Sequence, residues 1–200
     1  DALAAESIRF ERAVAPAPRP APSLGTLFTG APPSRHGLVR AGSRVADDLV
    51  PLAEVFAAAG YRTVAVSVAP ELQDPATGLT RGFDRVEPAR VAHDGVRDRA
   101  VTKRTIEVLN EARETPLFLF VHYRAPRPPF DAKPRFQRPG TRRYHGSLEG
   151  AQTVLASLAR GELAIDRLDA AHLAGLYDAE VASVDDELGE LLDHVERIGL

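Results

Sequence analysis

The chain has 200 residues, 44% hydrophobic and 26% charged, with a formal net charge of −3 at pH 7. That length supports one ordinary domain with a sizeable core, and the near-balanced charge gives no whole-chain attraction to nucleic acid or to an anionic membrane. Cysteine is absent, which excludes a disulfide, a thiolate metal site and a thiol nucleophile, and no apolar run approaches the ~20 residues that span a bilayer.

In chain order, Asp1–Ser7 reads as the end of a helix, and Ile8–Val14 alternates apolar with charged residues, which predicts a short, half-exposed strand. Ala15–Pro22 carries Pro16, Pro18, Pro20 and Pro22. Proline fixes φ and lacks a donor, so this stretch is expected to be a rigid, extended approach. Ser23 is a natural N-cap for two helical turns over Leu24–Thr29, and Gly30, Pro32 and Pro33 stop them. A stiff loop feeding a helix N-terminus can hold an anion through free N–H groups and the helix dipole. The plainer reading is a proline-rich loop before a capped helix. His36, beside Gly37, reads first as a hydrogen-bonded loop histidine and second as a ligand or acid–base group.

Asp47–Ala59 reads as a helix capped by Asp47 or Asp48, with an apolar stripe of Leu49, Leu52, Val55, Phe56 and Ala59. Gly60 ends it. Arg62–Val68 then lacks polar alternation, as expected of a strand covered on both faces. Within Gly78–Asp84, Asp84 reads as a turn-forming carboxylate. Asp94–Arg113 predicts a second helix with Val101, Thr105, Val108, Leu109 and Ala112 inward. Leu117–Tyr123 is the most apolar strand and predicts a central parallel strand. Because sites in open α/β sheets form past the C-terminal strand ends, His122 is a candidate catalytic residue. Arg124–Glu149 is proline-rich and basic, with seven Lys or Arg residues against Asp131 and Glu149. It suits a loop over an anionic ligand or a solvated surface, and lacks the aromatic interleaving of a nucleic-acid module. Ala151–Leu163 reads as helix. Asp169–Ile198 reads as a long helix with a stripe through Leu173, Leu176, Tyr177, Val181, Val184, Leu188, Leu191, Leu192, Val195 and Ile198. Asp185 and Asp186 point about 100° apart on that helix and so do not converge as an acid–base pair. Both ends of the chain fall in helical segments, so the chain reads as an internal piece of a longer polypeptide.

Pro22-Ser23-x-x-Thr26-Leu27-Phe28-Thr29-Gly30, followed by Pro33-x-Arg35-His36-Gly37, resembles the signature of the sulfatase family within the alkaline phosphatase superfamily. Gly78-Leu79-x-Arg81-Gly82-Phe83-Asp84, Val121-His122 with the prolines behind it, and Tyr177-Asp178-Ala179-Glu180-Val181 resemble further family segments in the same order. The resemblance implies an α/β fold: a three-layer αβα sandwich with a mostly parallel, alkaline-phosphatase-like sheet. Residues 1–200 would form one partial domain, with 124–149 as a basic, proline-rich loop insertion.

The activity implied is sulfuric ester hydrolysis by attack of a nucleophile on sulfur, or on phosphorus in relatives. A divalent cation, calcium or magnesium, assists it through ligands that would lie outside this chain. In this sequence the nucleophile position holds Pro20, which has no attacking atom, and the arginine that usually follows Pro-Ser is Leu24. The resemblance therefore implies a sulfatase-like hydrolase with impaired chemistry. The alternatives are a non-catalytic binder of sulfate or phosphate esters, or a phosphoester hydrolase or phosphotransferase relative. Ser23 is the hydroxyl nearest the loop and the alternative nucleophile. Arg127 takes the position of a family histidine that binds the ester or protonates the leaving group, and Arg124 joins it as a substrate-binding candidate. The partner implied is a small-molecule or glycan ester. Bacterial relatives are often exported or membrane-anchored, and the compartment of this chain is not fixed by its sequence.

Overall fold

The computed structural model describes residues 2–40, 42–88, 97–112, 115–130 and 132–199. The helices are α1 (Ala2–Ala5), α2 (Pro20–Thr29), α3 (Pro33–His36), α4 (Leu52–Ala58), α5 (Arg97–Glu111), α6 (Pro139–Arg142), α7 (Gln152–Ala159) and α8 (Arg167–Ile198). The strands are β1 (Arg62–Ser67), β2 (Arg85–Pro88) and β3 (Leu117–His122), all parallel in the order β2-β1-β3.

β1 is the centre of this sheet, with Thr63 through Ser67 buried. The more apolar β3 lies beside it, half-buried along its length, which corrects the expectation that β3 is central. Helices cover both faces, as a parallel sheet requires. On one face Val64 and Val66 meet Val101 and Val108 of α5, with Leu117, Leu119 and Val121 packed against them. Each fully buried aliphatic side chain of this kind contributes about 1.5–3 kcal/mol. On the other face Phe120 meets Phe28 of α2 edge-on at 4.8 Å, and Phe118 stacks on Phe56 of α4 at 4.3 Å. Register places Ser67 directly opposite His122 at the C-terminal edge.

Several predicted elements shift. α2 begins at Pro20, three residues before the expected cap, with Arg19 as an extended N-cap that makes no side-chain cap bond. Prolines suit a first turn because its N–H groups lack intrahelical acceptors in any case. Ile8–Val14 forms no ladder, and Ile8, Phe10 and Val14 are exposed. Alternation makes a strand only beside a sheet edge, and none pairs with this segment among the described residues. α4 starts at Leu52 behind Pro51, because a residue before proline is driven out of the helical region. Asp47 and Asp48 pair with Arg44 and Arg35 instead of capping. The buried position of α4 is Ala53, while Leu52 and Val55 are exposed. The loop before β2 crosses the helix there: a Cβ on Gly82, whose φ is +82, would lie 2.2 Å from the backbone N of Glu54.

The inward face of α5 is as expected, with Val101, Thr105, Val108, Leu109 and Ala112 all buried. The expected start at Asp94 and end at Arg113 lie outside the described residues. α8 has a capping box, in which the Asp166 side chain accepts from Asp169 N and the Asp169 side chain accepts from Asp166 N. Its stripe is displaced. Leu173 and Leu191 of the expected stripe are buried, but Tyr177, Val181, Leu188 and Leu192 are exposed, while Ala179, Glu180, Ser183, Glu187 and His194 are buried. The cause is α5, which presents polar partners: Asn110 Oδ1 sits 3.2 Å from His194 Nε2, and Arg99 reaches Glu187 and Glu190. The segment after β3 also lies along α8, through Arg135 to Asp186 and Arg138 to Asp178. Those two arginines are therefore held against α8.

Candidate functional site

The C-terminal ends of β1 and β3 and the start of α2 converge on one region, the place where a parallel sheet leaves its strand-end dipoles and connecting loops open to a ligand. Two cavities flank Arg19 and Pro20. One, of about 590 Å³, is lined by Pro18, Arg19, Pro20, Ser23, Leu27 and His122 among others. The other, of about 850 Å³, is lined by Arg19, Pro20, Arg40, Glu71, Asp74 and Arg127 among others.

α2 is held here by His36, which is fully buried. Leu38 N donates to its Nδ1 at 3.1 Å, so the ring proton resides on Nε2, which donates to Pro22 O at 3.1 Å. Both ring nitrogens are committed to backbone, so His36 is a structural pin. Gly25 makes the close approach possible, since a Cβ there would lie 2.7 Å from His36 Cε1.

The expected anion nest at the start of α2 is weak. Pro20 and Pro22 have no N–H, and Ser23 N already donates to Arg19 O at 3.3 Å. Only Ala21 N remains in that turn, so charge recognition falls to side chains. Arg19 and Arg40 have no ion-pair partner among the described residues. Arg127 is half-exposed, with Nη1 4.0 Å from Glu71 Oε1. A carboxylate at that distance restrains a guanidinium without occupying its fork. Arg124 turns the other way: its Nη2 donates to Pro128 O at 2.6 Å. Its backbone N and that of Ala125 donate to the buried Asp98 carboxylate at 2.7 and 3.2 Å. Asp98 on α5 thereby orients the loop that carries Arg127.

Ser23 lines the first cavity, but its hydroxyl donates to Ala17 O at 2.8 Å, whereas an activated nucleophile needs a base within hydrogen-bond reach. His122 lines the same cavity and pairs with Ser67, with Nδ1 3.0 Å from Oγ. Burial pushes the His122 pKa below its ordinary value, opposed by Glu71 and Asp98 and assisted by Arg127. Asp84 acts structurally, its Oδ2 accepting from Thr63 N at 2.8 Å.

The structure therefore brings Ser23, His122 and Arg127 to the strand-end region and directs the Arg124 side chain into its own loop. Sequence reasoning missed Arg19, Arg40, Glu71 and Ser67. Arg19 sits among prolines, where it reads as linker. Ser67 had one visible signal, a lone hydroxyl near the end of an apolar strand. No group of three or more His, Asp or Glu side chains able to hold a metal ion occurs among the described residues. The described residues thus do not by themselves assemble a site for the cation that the resemblance implies.

The sulfatase family model matches residues 1–200. No curated protein sequence matches the chain. Among solved structures, a phosphonate monoester hydrolase of Agrobacterium radiobacter is 18% identical with a TM-score of 0.67, over 92% of this chain and 51% of its own. A phosphonate monoester hydrolase from Silicibacter pomeroyi is 17% identical with a TM-score of 0.62, over 90% of this chain and 51% of its own. A protein solved in complex with its substrate D-glucosamine-2-N,6-O-disulfate is 17% identical with a TM-score of 0.63, over 90% of this chain and 53% of its own. The chain spans about half the length of these structures, and at such identities they speak for the fold: mixed α/β with a small parallel sheet, as in alkaline-phosphatase-like sulfatases.

Proposed function

The chain belongs to the sulfatase family, and from that premise we propose that it carries the ester-recognition face of a sulfatase-type hydrolase fold in which the attacking group has been lost. The reading rests on one observation. Arg19, Arg40 and Arg127 line a cavity against Pro20, the residue at the family's nucleophile position. Glu71 and Asp74 line the same cavity, so three guanidinium groups against two carboxylates leave a net positive lining beside a side chain that cannot attack.

The chemistry of each residue supports this reading. Guanidinium groups match the tetrahedral oxyanion face of a sulfate, phosphate or phosphonate monoester in bidentate fashion and stay charged at every physiological pH. Arg127, unlike a histidine, cannot protonate a leaving group. Pro20 at the first position of α2 fixes the backbone and offers neither an N–H nor a hydroxyl. The ligand class proposed is a small-molecule or glycan sulfate, phosphate or phosphonate monoester, with the basic loop of residues 124–149 contributing Arg127.

The experiment is paired calorimetry and turnover on the intact protein, with 4-nitrophenyl sulfate, 4-nitrophenyl phosphate and a phenylphosphonate monoester. The expected result is binding without release of 4-nitrophenol, with binding weakened about tenfold in Arg127→Ala, the loss of one charge-assisted bidentate contact. Release of 4-nitrophenol or phenol by the wild type would overturn the loss of chemistry. If that turnover disappears in Ser23→Ala, Ser23 is the nucleophile. Absence of binding to all three esters would overturn the recognition role.

A further inference from the structure

We infer that Ser67 is a positioning residue that holds His122 as an uncharged imidazole with its proton on Nε2, so that the ring offers the cavity beside Pro20 a hydrogen-bond donor without a charge. The functional consequence for ester binding rests on the reading above; the tautomer itself does not.

The argument is an accounting of protons. Ser67 and His122 are register partners at the ends of β1 and β3. Ser67 is 1% exposed, so water does not complete its hydrogen bonding. Its Oγ accepts from Ala69 N at 2.9 Å and lies 3.0 Å from His122 Nδ1. A hydroxyl has one proton and two lone pairs. If Nδ1 carried a proton, it would take the second lone pair and leave the buried Ser67 proton without an acceptor. If Nδ1 is bare, the hydroxyl donates to it, Ala69 N–H fills a lone pair, and every group is satisfied. Buried polar groups settle into the arrangement that leaves none unpaired. The imidazolium is disfavoured on the same ground, because it must protonate Nδ1.

The surroundings act in both directions. The charged groups around the ring are Glu71 after β1, Asp98 on α5 and Arg127 after β3. The two carboxylates favour the imidazolium, Arg127 opposes it, and burial outweighs them and lowers the His122 pKa. Phe120 stacks beside the ring at 6.2 Å, adding an apolar neighbour. A neutral donor recognises an ester oxygen equally well on either side of neutrality, so the affinity for a singly charged ester should be flat where an unperturbed histidine would titrate.

The test uses the intact, ¹⁵N-labelled protein. Long-range ¹H–¹⁵N correlation of the His122 ring is expected to show a protonated Nε2 and a bare Nδ1. In Ser67→Ala the neutral form loses its donor, so the ring should populate both tautomers and its pKa should rise. Ser67→Thr, which keeps the hydroxyl, should restore the wild-type pattern. A protonated Nδ1 in the wild type overturns the inference, as does a Ser67→Ala ring with unchanged tautomer and pKa; the wild-type spectrum decides even if the alanine variant does not fold. In the second arm, 4-nitrophenyl sulfate, whose charge is constant, should bind the wild type with a Kd constant within about twofold from about pH 6 to about pH 8, and Ser67→Ala about threefold or more tighter at the lower pH. A wild-type affinity that rises as strongly on acidification counts against the inference. Failure of the wild type to bind this sulfate and the two phosphorus esters removes the recognition reading and leaves the tautomer arm to decide Ser67.

Discussion

Gly25→Ala sets two well-defined effects against each other. Gly25 is in the middle of α2, where alanine should stabilise the helix by about 1 kcal/mol through backbone entropy alone. The added Cβ would lie 2.7, 2.9 and 3.0 Å from Cε1, Nε2 and Nδ1 of His36. Contacts of that length require the ring or the helix to move. The ring has nowhere to go, since it is fully buried and held at 3.1 Å on both nitrogens. A shift of about half an ångström would stretch both bonds beyond useful length, at about 1 kcal/mol each, and the overpacking strain adds about 1–3 kcal/mol. Against the helix gain, the net expectation is a loss of about 2–4 kcal/mol, or about 4–16 °C in Tm for a chain of this size. Urea unfolding followed by circular dichroism measures it, with Gly189→Ala as the control. Gly189 lies in α8, and a Cβ there meets nothing within 4 Å, so that variant should gain up to about 1 kcal/mol. A Gly25→Ala protein as stable as the wild type, alongside a stabilised Gly189→Ala, would refute the claim that His36 packs against α2 in this way.

Three further outcomes are expected. Gly82→Ala should destabilise the fold by about 3 kcal/mol or more, measurable in the same urea experiment, because it combines a φ of +82° with a backbone contact at 2.2 Å that no rotamer relieves. Asp98→Ala should cost about 2–4 kcal/mol, since it strips a buried carboxylate from the N–H groups of Arg124 and Ala125. It should also weaken ester binding by loosening the loop that carries Arg127, whereas Asp98→Asn, which keeps one acceptor oxygen, should lose less of both. The Glu87 carboxyl is held below its ordinary value of 4.5, first by Arg104 and then by Arg85. Its folded pKa is therefore below its unfolded one. Its stabilising contribution is complete above about pH 4.5 and is lost as pH falls through the folded pKa, so Glu87→Gln should flatten the acid limb of a stability–pH profile from thermal melts.

The family motif around α2, the helix–glycine–strand unit leading into β1, the inward face of α5 and the apolar β3 were all legible from residue order, because each depends on local propensity and on one-dimensional periodicity. The same reasoning misplaced the start of α2. It scored Pro20 and Pro22 as helix breakers, and a breaker at an interior position is an acceptable residue in a first turn. It also drew the buried face of α8 too far round: Leu173 and Leu191 are buried as expected, but Tyr177, Val181, Leu188 and Leu192 are exposed. Periodicity locates an apolar stripe, but which stripe is buried depends on the partner, and α5 offers Asn110 and Arg99 to His194, Glu187 and Glu190.

Of the candidate site, Ser23, His122 and Arg127 could be named from motif and strand position, as could Pro20 in the slot where the resemblance places a nucleophile. Arg19, Arg40 and Glu71 could not, because a cavity wall is assembled from segments far apart in the chain. The sequence alone thus determined the family and the parallel α/β plan, and it showed a proline, Pro20, where the resemblance places the attacking residue, all properties of residue identity and near-neighbour order. Only the tertiary structure decided that Ser67 faces His122, 55 residues away, and that three arginines share one cavity. Strand register and loop closure set those meetings, and both are properties of the packed chain.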